Sequence, residues 1–124
     1  MRNDLAVVVV SYNTKDLLRA CLRSLLASLV RSDRSLSYEV FVVDNASVDG
    51  SPSMVAAEFP MVRLIALPEN EGFAAGNNVA IRHANARYVL LLNPDTETLG
   101  EAPVRLVKYL EGHPDIGAAG GRLL

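Results

Sequence analysis

The chain has 124 residues, half of them hydrophobic, and a formal charge of -2. That is one globular domain or part of one, able to bury roughly two thirds of its unfolded surface. Its interspersed charges offer no basic patch to nucleic acid, and no apolar stretch nears the ~20 residues that span a bilayer.

Strand and helix patterns alternate from end to end. Leu5 to Val10 is a β-branched run without a polar face, the pattern of a parallel strand buried on both sides. The apolar run at this start is too short for a signal peptide. Leu17, Leu18, Cys21, Leu22, Leu25, Leu26 and Leu29 then recur on one helix face, with Asn13 or Thr14 as the expected cap and Asp16 in the first turn. Cys21 is the only cysteine, so no internal disulfide can form. Its place among leucines predicts a buried, inert thiol, and nothing suggests an oxidising compartment. A soluble cytoplasmic protein is the expectation.

A polar connection, "RSDRS", leads to a second strand over Glu39 to Val43. Ser51 to Phe59 reads as a short helix, opened by Pro52 and stopped by Pro60. Val62 to Leu67 is a third strand, Phe73 to Asn85 a helix entered through glycine, and Tyr88 to Leu92 a fourth strand. Ala102 to Glu111 is a further helix between Pro103 and Gly112, and Ile116 to Ala119 is expected to begin a fifth strand. The implied fold is α/β, a mostly parallel Rossmann-like sheet with helices on both faces. The chain stops soon after a strand signal, so we expect it to be part of a larger fold. Its uncovered edge then predicts a homo-oligomer.

Ligands of open parallel sheets bind beyond the carboxyl ends of the strands. Polar clusters fall there after each of four strands: Ser11, Tyr12, Asn13; Asp44, Asn45, Ser47, Asp49; Asn70, Gly72, Gly76, Asn77, Asn78; and Asn93, Asp95, Thr96, Glu97. One cluster could be turn chemistry, whereas four on one edge describe a site. No dinucleotide fingerprint, P-loop or acidic pair follows the first strand. His83 and His113 supply a hydrolase triad poorly, and neither is given a role.

A nucleotide site of aromatic and carboxylate groups remains. Tyr12 can stack on a base, Asp44 can accept the ring N–H of uracil, thymine or guanine, and Asp95 can bind a hard divalent cation together with phosphate oxygens.

"VVVVSYN", "VFVVDNASVDGS", "NEGFAAGNN" and "LLLNPDTE", in this order, resemble the nucleotide-binding half of family 2 glycosyltransferases, most closely the bacterial rhamnosyltransferase-like branch. The resemblance covers roughly residues 5–98. It implies a GT-A fold, a nucleotide-diphosphate sugar donor of UDP, dTDP or GDP type, Mg2+ or Mn2+, and inversion at the anomeric centre. A saccharide or lipid-linked acceptor is implied as well, with peripheral membrane association of a full protein and a role in cell-surface polysaccharide biosynthesis. By position, Tyr12 and Asp44 match base-binding residues, with Ser11 and Asn13 beside them. Asn70 to Asn77, including Gly72, matches the loop bordering nucleotide and sugar. Asp95 matches the metal-binding aspartate of D-x-D. The first acid of that motif is Asn93 here, which points to hydrogen bonds with sugar or phosphate. The family's general base is an aspartate beyond the fifth strand, past residue 124, so the catalytic residue is unknown.

Blander roles stand beside these. Tyr12 could cap the sheet edge, Asp44 could be a turn former, and Gly72 and Gly76 could serve close packing. Asn45, Ser47, Asp49 and Gly50 are expected to shape their loop and cap the next helix. The competing function is a non-catalytic nucleotide- or sugar-binding module. A nucleotidyltransferase would want a basic, glycine-rich phosphate loop that is missing.

Overall fold

The structure is a computed structural model that describes residues 2–31 and 36–121. Most of the predicted polar connection (residues 32–35) and the last residues (122–124) lie outside the described residues. Eight elements alternate: β1 (Asn3–Ser11), α1 (Lys15–Arg31), β2 (Tyr38–Asp44), α2 (Ser51–Glu58), β3 (Arg63–Ala66), α3 (Phe73–His83), β4 (Ala86–Leu92) and α4 (Ala102–Gly112). The four strands form one parallel sheet in the order β3-β2-β1-β4.

Alternation along the central strands sends side chains to two cores. Leu5, Val7 and Val9 of β1 join Val40 and Val42 of β2 on one face. There they meet Leu18, Leu22 and Leu25 of α1, Met54 and Val55 of α2, and Val107 of α4. Full burial of each large aliphatic chain contributes about 1.5–3 kcal/mol, which is why the leucine stripe decides where α1 lies. Ala6, Val8, Val10, Phe41 and Val43 face the other way, onto Ala80 of α3. Helices therefore cover both faces, as the apolar runs of β1 and β2 predict.

The expected fifth strand is absent: residues 116–119 follow α4 as irregular chain without strand pairing. Gly117 and the alanines beside it offer no β-branched or aromatic surface to pack, and Gly120 and Gly121 follow at once. Among the described residues the outer edge of β4 is unpaired, and its α3-side residues Val89 and Leu91 are 42% and 49% exposed.

Thr14 occupies the cap position of α1, its carbonyl accepting the Leu18 N–H at 2.7 Å, but the side chain that caps the helix is another. The Asn13 side chain accepts the Val48 N–H through Oδ1 at 2.8 Å, and the Thr14 hydroxyl pairs with that of Ser11. The first helical N–H, of Lys15, donates instead to Asp49 Oδ2 at 3.0 Å. Asp49 Oδ1 accepts the N–H and hydroxyl of Ser51, so one carboxylate holds the starts of two helices. A long-range cap of this kind leaves no local sequence signature.

Those hydrogen bonds, the Ser51 hydroxyl first, hold the Asp49 carboxyl below the usual carboxylate range. The stabilisation is complete above about pH 4, where an unfolded aspartate is ionised, and is lost as acid titrates the folded carboxylate. Replacing Asp49 by Ala should lower unfolding stability by about 1–2 kcal/mol, the range of a lost cap. Urea titrations at pH 7 and pH 3 check this: the gap between wild type and variant should narrow in acid.

Candidate functional site

The chain builds outward from β1 through β2 to β3, then returns to the opposite side for β4. Strand order thus reverses between β1 and β4, and such a reversal opens a crevice at the carboxyl ends of the strands. The loop after β1 carries Tyr12 and Asn13, and the loop after β4 carries Asn93 and Asp95. The loop after β2 lies alongside, since Ser11 pairs with Asp44 in register.

Asp44 is the last residue of β2 and only 1% exposed. Its Oδ2 accepts the Ser47 N–H at 2.9 Å, which is the turn-forming role. Its Oδ1 is buried and has no hydrogen-bond donor. A buried carboxylate oxygen left without a partner costs about 1–3 kcal/mol or more. The turn therefore accounts for half of this side chain.

Asn45 follows as a clamp. Its Oδ1 accepts the Glu71 N–H at 3.1 Å while its Nδ2 donates to the Gly72 carbonyl at 3.1 Å. At 3% exposure, it fixes the entry to α3 against the end of β2. The sequence reading gives Asn45 a loop-shaping role but does not foresee this partner; its adjacency to Asp44 was the available signal. Asn70 Oδ1 takes the Gly72 N–H in a local turn.

The two glycines of this segment serve different needs. Gly72 has φ 90° and ψ 175°, a region that only glycine occupies readily, with open space where a Cβ would stand. A Cβ on Gly76 would stand 2.9 Å from Val10 Cγ1 and 3.2 Å from Cγ2. Gly76 is therefore a packing residue that lets α3 lie close on β1. Next to it, Asn77 is buried with Oδ1 unpartnered, the second such oxygen among the described residues.

Ser11 is buried at the end of β1, its hydroxyl on Thr14. Tyr12 is 51% exposed. Asn13 and Ala46, in the first two loops, have φ of 50° and 62°. Left-handed backbone at non-glycine residues is uncommon and concentrates at functional sites. Asn93 and Asp95 both face solvent.

Beneath them, Cys21 of α1 is buried, its thiol directed at the Asn93 carbonyl at 3.6 Å. Burial, and secondarily the charges of Asp95 and Glu97, push this thiol up to about 11, so it stays protonated near neutrality. The burial expected from the leucine stripe is what the structure contains.

Two hollows lie on the surface. One of about 440 Å3 is bordered by Arg19, Arg23 and Glu97, and another of about 550 Å3 lies between α4 and the following tail. Neither is lined by Tyr12, Asp44 or Asp95. Among the described residues no group of three or more His, Cys, Asp or Glu side chains could hold a metal by itself. One exposed carboxylate suits a hard cation that takes its remaining ligands from phosphate and water. Asp95 fits a cation in that manner.

A family model described as glycosyl transferase family 2 matches residues 6–124. The chain belongs to that family. The succinoglycan biosynthesis protein ExoO of Rhizobium meliloti (strain 1021) is 35% identical over 116 residues, covering 93% of this chain and 31% of ExoO. Among solved structures, the mannosyltransferase PcManGT from Pyrobaculum calidifontis, in complex with GDP-Man and Mn2+, is 29% identical with a TM-score of 0.70. The similarity covers 89% of this chain and 33% of PcManGT. TarS of S. aureus (residues 1–349) in complex with UDP-GlcNAc is 25% identical with a TM-score of 0.73, covering 90% and 32%. This family 2 chain spans about a third of the length of each. Its four-stranded sheet is thus GT-A-like. No helix among the described residues is long and apolar enough to cross a membrane.

Proposed function

We propose that this family 2 chain is the nucleotide-sugar-binding portion of an inverting glycosyltransferase. The observation that carries the proposal is the unpartnered, buried Oδ1 of Asp44 at the carboxyl end of β2. An acceptor held in that position suits a base that presents a ring N–H. The exposed Tyr12 ring supplies a stacking surface, and the Asn45 clamp holds the Gly72 backbone beside the same loop. The GDP-Man and UDP-GlcNAc carried by the two solved relatives support a nucleotide-diphosphate sugar as donor.

Asp95 is the residue we assign to Mg2+ or Mn2+, and the Mn2+ of the mannosyltransferase structure supports that choice. A cation there supplies positive charge where a departing diphosphate gathers negative charge. Asn93, exposed in the same loop, is the residue we assign to hydrogen bonds with sugar or phosphate. A saccharide or lipid-linked hydroxyl is the proposed acceptor, attacking from the face opposite the diphosphate; no residue of this chain is assigned as its general base. Cytoplasmic location and a homo-oligomeric state complete the proposal, the latter supported by the exposed Val89 and Leu91.

Calorimetric titration with UDP, dTDP and GDP, each with Mn2+ and then with excess chelator, tests it. One of the three should bind, more tightly with the metal, and Asp95→Ala should remove the metal's contribution while sparing the rest. Binding of a free sugar with no nucleotide response would favour a saccharide-binding module instead.

A further inference from the structure

The loop from Asn93 to Gly100 carries Asp95 but has little regular structure to hold it. A turn closes around Asp95 itself, the Asn93 carbonyl accepting the Thr96 N–H at 3.2 Å and the Thr96 hydroxyl at 2.7 Å, and further contacts come from one face of α1. Cys21 directs its thiol at the Asn93 carbonyl, and the Thr98 N–H donates to Ser24 Oγ at 2.9 Å. Ser28 Oγ donates to the Gly100 carbonyl at 2.6 Å, and Ser28 is 2% exposed. Ser24 in turn donates its own proton to the Cys21 carbonyl at 3.0 Å, so the hydroxyl both gives and receives.

The spacing 21, 24, 28 is that of one helix face, running beside the leucine stripe. These three contacts bracket Asp95 from both sides. Serine in a helix interior ordinarily bonds back to its own helix or faces water. Ser28 does neither, and its hydroxyl is spent on the loop.

We infer that Ser24 and Ser28, with Cys21, are positioning residues that hold Asp95 for the cation-dependent part of nucleotide binding. The inference rests on the assignment of Asp95 above and adds the support of its loop, which that assignment does not include. Groups that orient a metal ligand typically change metal affinity by about 10–100-fold when removed.

The test compares wild type with Ser24→Ala, Ser28→Ala and Ser24→Thr, the last keeping the hydroxyl. Two quantities are read: amide hydrogen exchange in residues 94–101, and the Mn2+-dependent gain in affinity for whichever nucleotide the wild type binds. Each alanine variant should exchange faster in that segment and lose about tenfold of the Mn2+ gain. Affinity in chelator should stay unchanged, and Ser24→Thr should behave as wild type. A full Mn2+ gain in the alanine variants would overturn the inference, whether or not exchange rises. Ser24 is only half-buried, so its pair of variants decides the matter even if Ser28→Ala unfolds. No Mn2+ gain in the wild type would be a different failure, that of the Asp95 assignment itself.

Discussion

Asp44→Asn is expected to weaken nucleotide binding at least 100-fold while leaving the fold as stable as wild type or more so. The amide can keep its oxygen on the Ser47 N–H, preserving the turn. Its NH2 then occupies the place of Oδ1, which has no donor among the described residues. A ring N–H arriving there would meet another donor. A site built to pair with a hydrogen-bonding group and then denied it loses discrimination on this scale, about 3 kcal/mol or more. Stability should respond oppositely, because a buried carboxylate oxygen without a donor is replaced by a neutral group. Calorimetry and thermal unfolding on the same samples make the comparison. Equal losses of binding and of melting temperature would show that Asp44 serves the turn alone.

Gly76→Ala should destabilise the protein by about 1–3 kcal/mol, the cost of an added methyl in a full core. Helix propensity taken alone predicts the reverse, since alanine is favoured over glycine by about 1 kcal/mol inside a helix. The clash decides the sign: the new Cβ would stand 2.9 Å from a Val10 methyl. Val10 is β-branched and stiff at χ1, so it cannot swing aside. In a Val10→Ala background the obstruction is gone, and the same substitution should become neutral or stabilising. Denaturant midpoints of the four proteins in this cycle measure the coupling directly. A cost that persists without Val10 would mean that α3 needs glycine for its backbone rather than for its approach to β1.

Much of the fold is legible in the residues themselves. Leu5 to Val10 has no polar face because β1 has no solvent face, and the leucine spacing of α1 is the imprint of the core it covers. The loops at the strand ends are equally readable, since Asp44, Asn93 and Asp95 interrupt apolar runs where a strand ends. What escapes is chemistry between residues far apart in sequence. Asp49 caps α1 from another loop, Asn45 reaches the backbone of Glu71 and Gly72, and Ser24 and Ser28 meet a loop near the other end of the chain. Short-range patterns carry no trace of such pairings. The predicted fifth strand fails for a related reason: Ile116 to Ala119 has the composition of a small apolar run but no partner among the described residues.

The placement of β4 beside β1 bears on how the chain folds. β1, β2 and β3 are neighbours both in the sheet and in sequence, so their pairing closes comparatively short loops. β4 must return across all of them, and Asn3 waits for Ala86. Closure over that distance is entropically costlier and is compensated only once the pairing forms. The segments bearing Tyr12 and Asp44 are therefore expected to be organised first, and the strand that delivers Asp95 to dock last. On a ribosome the same order holds by necessity, because β4 is made after its partner. In a nascent chain the loops proposed for the base would therefore take shape before the loop proposed for the cation, in the order in which they are translated.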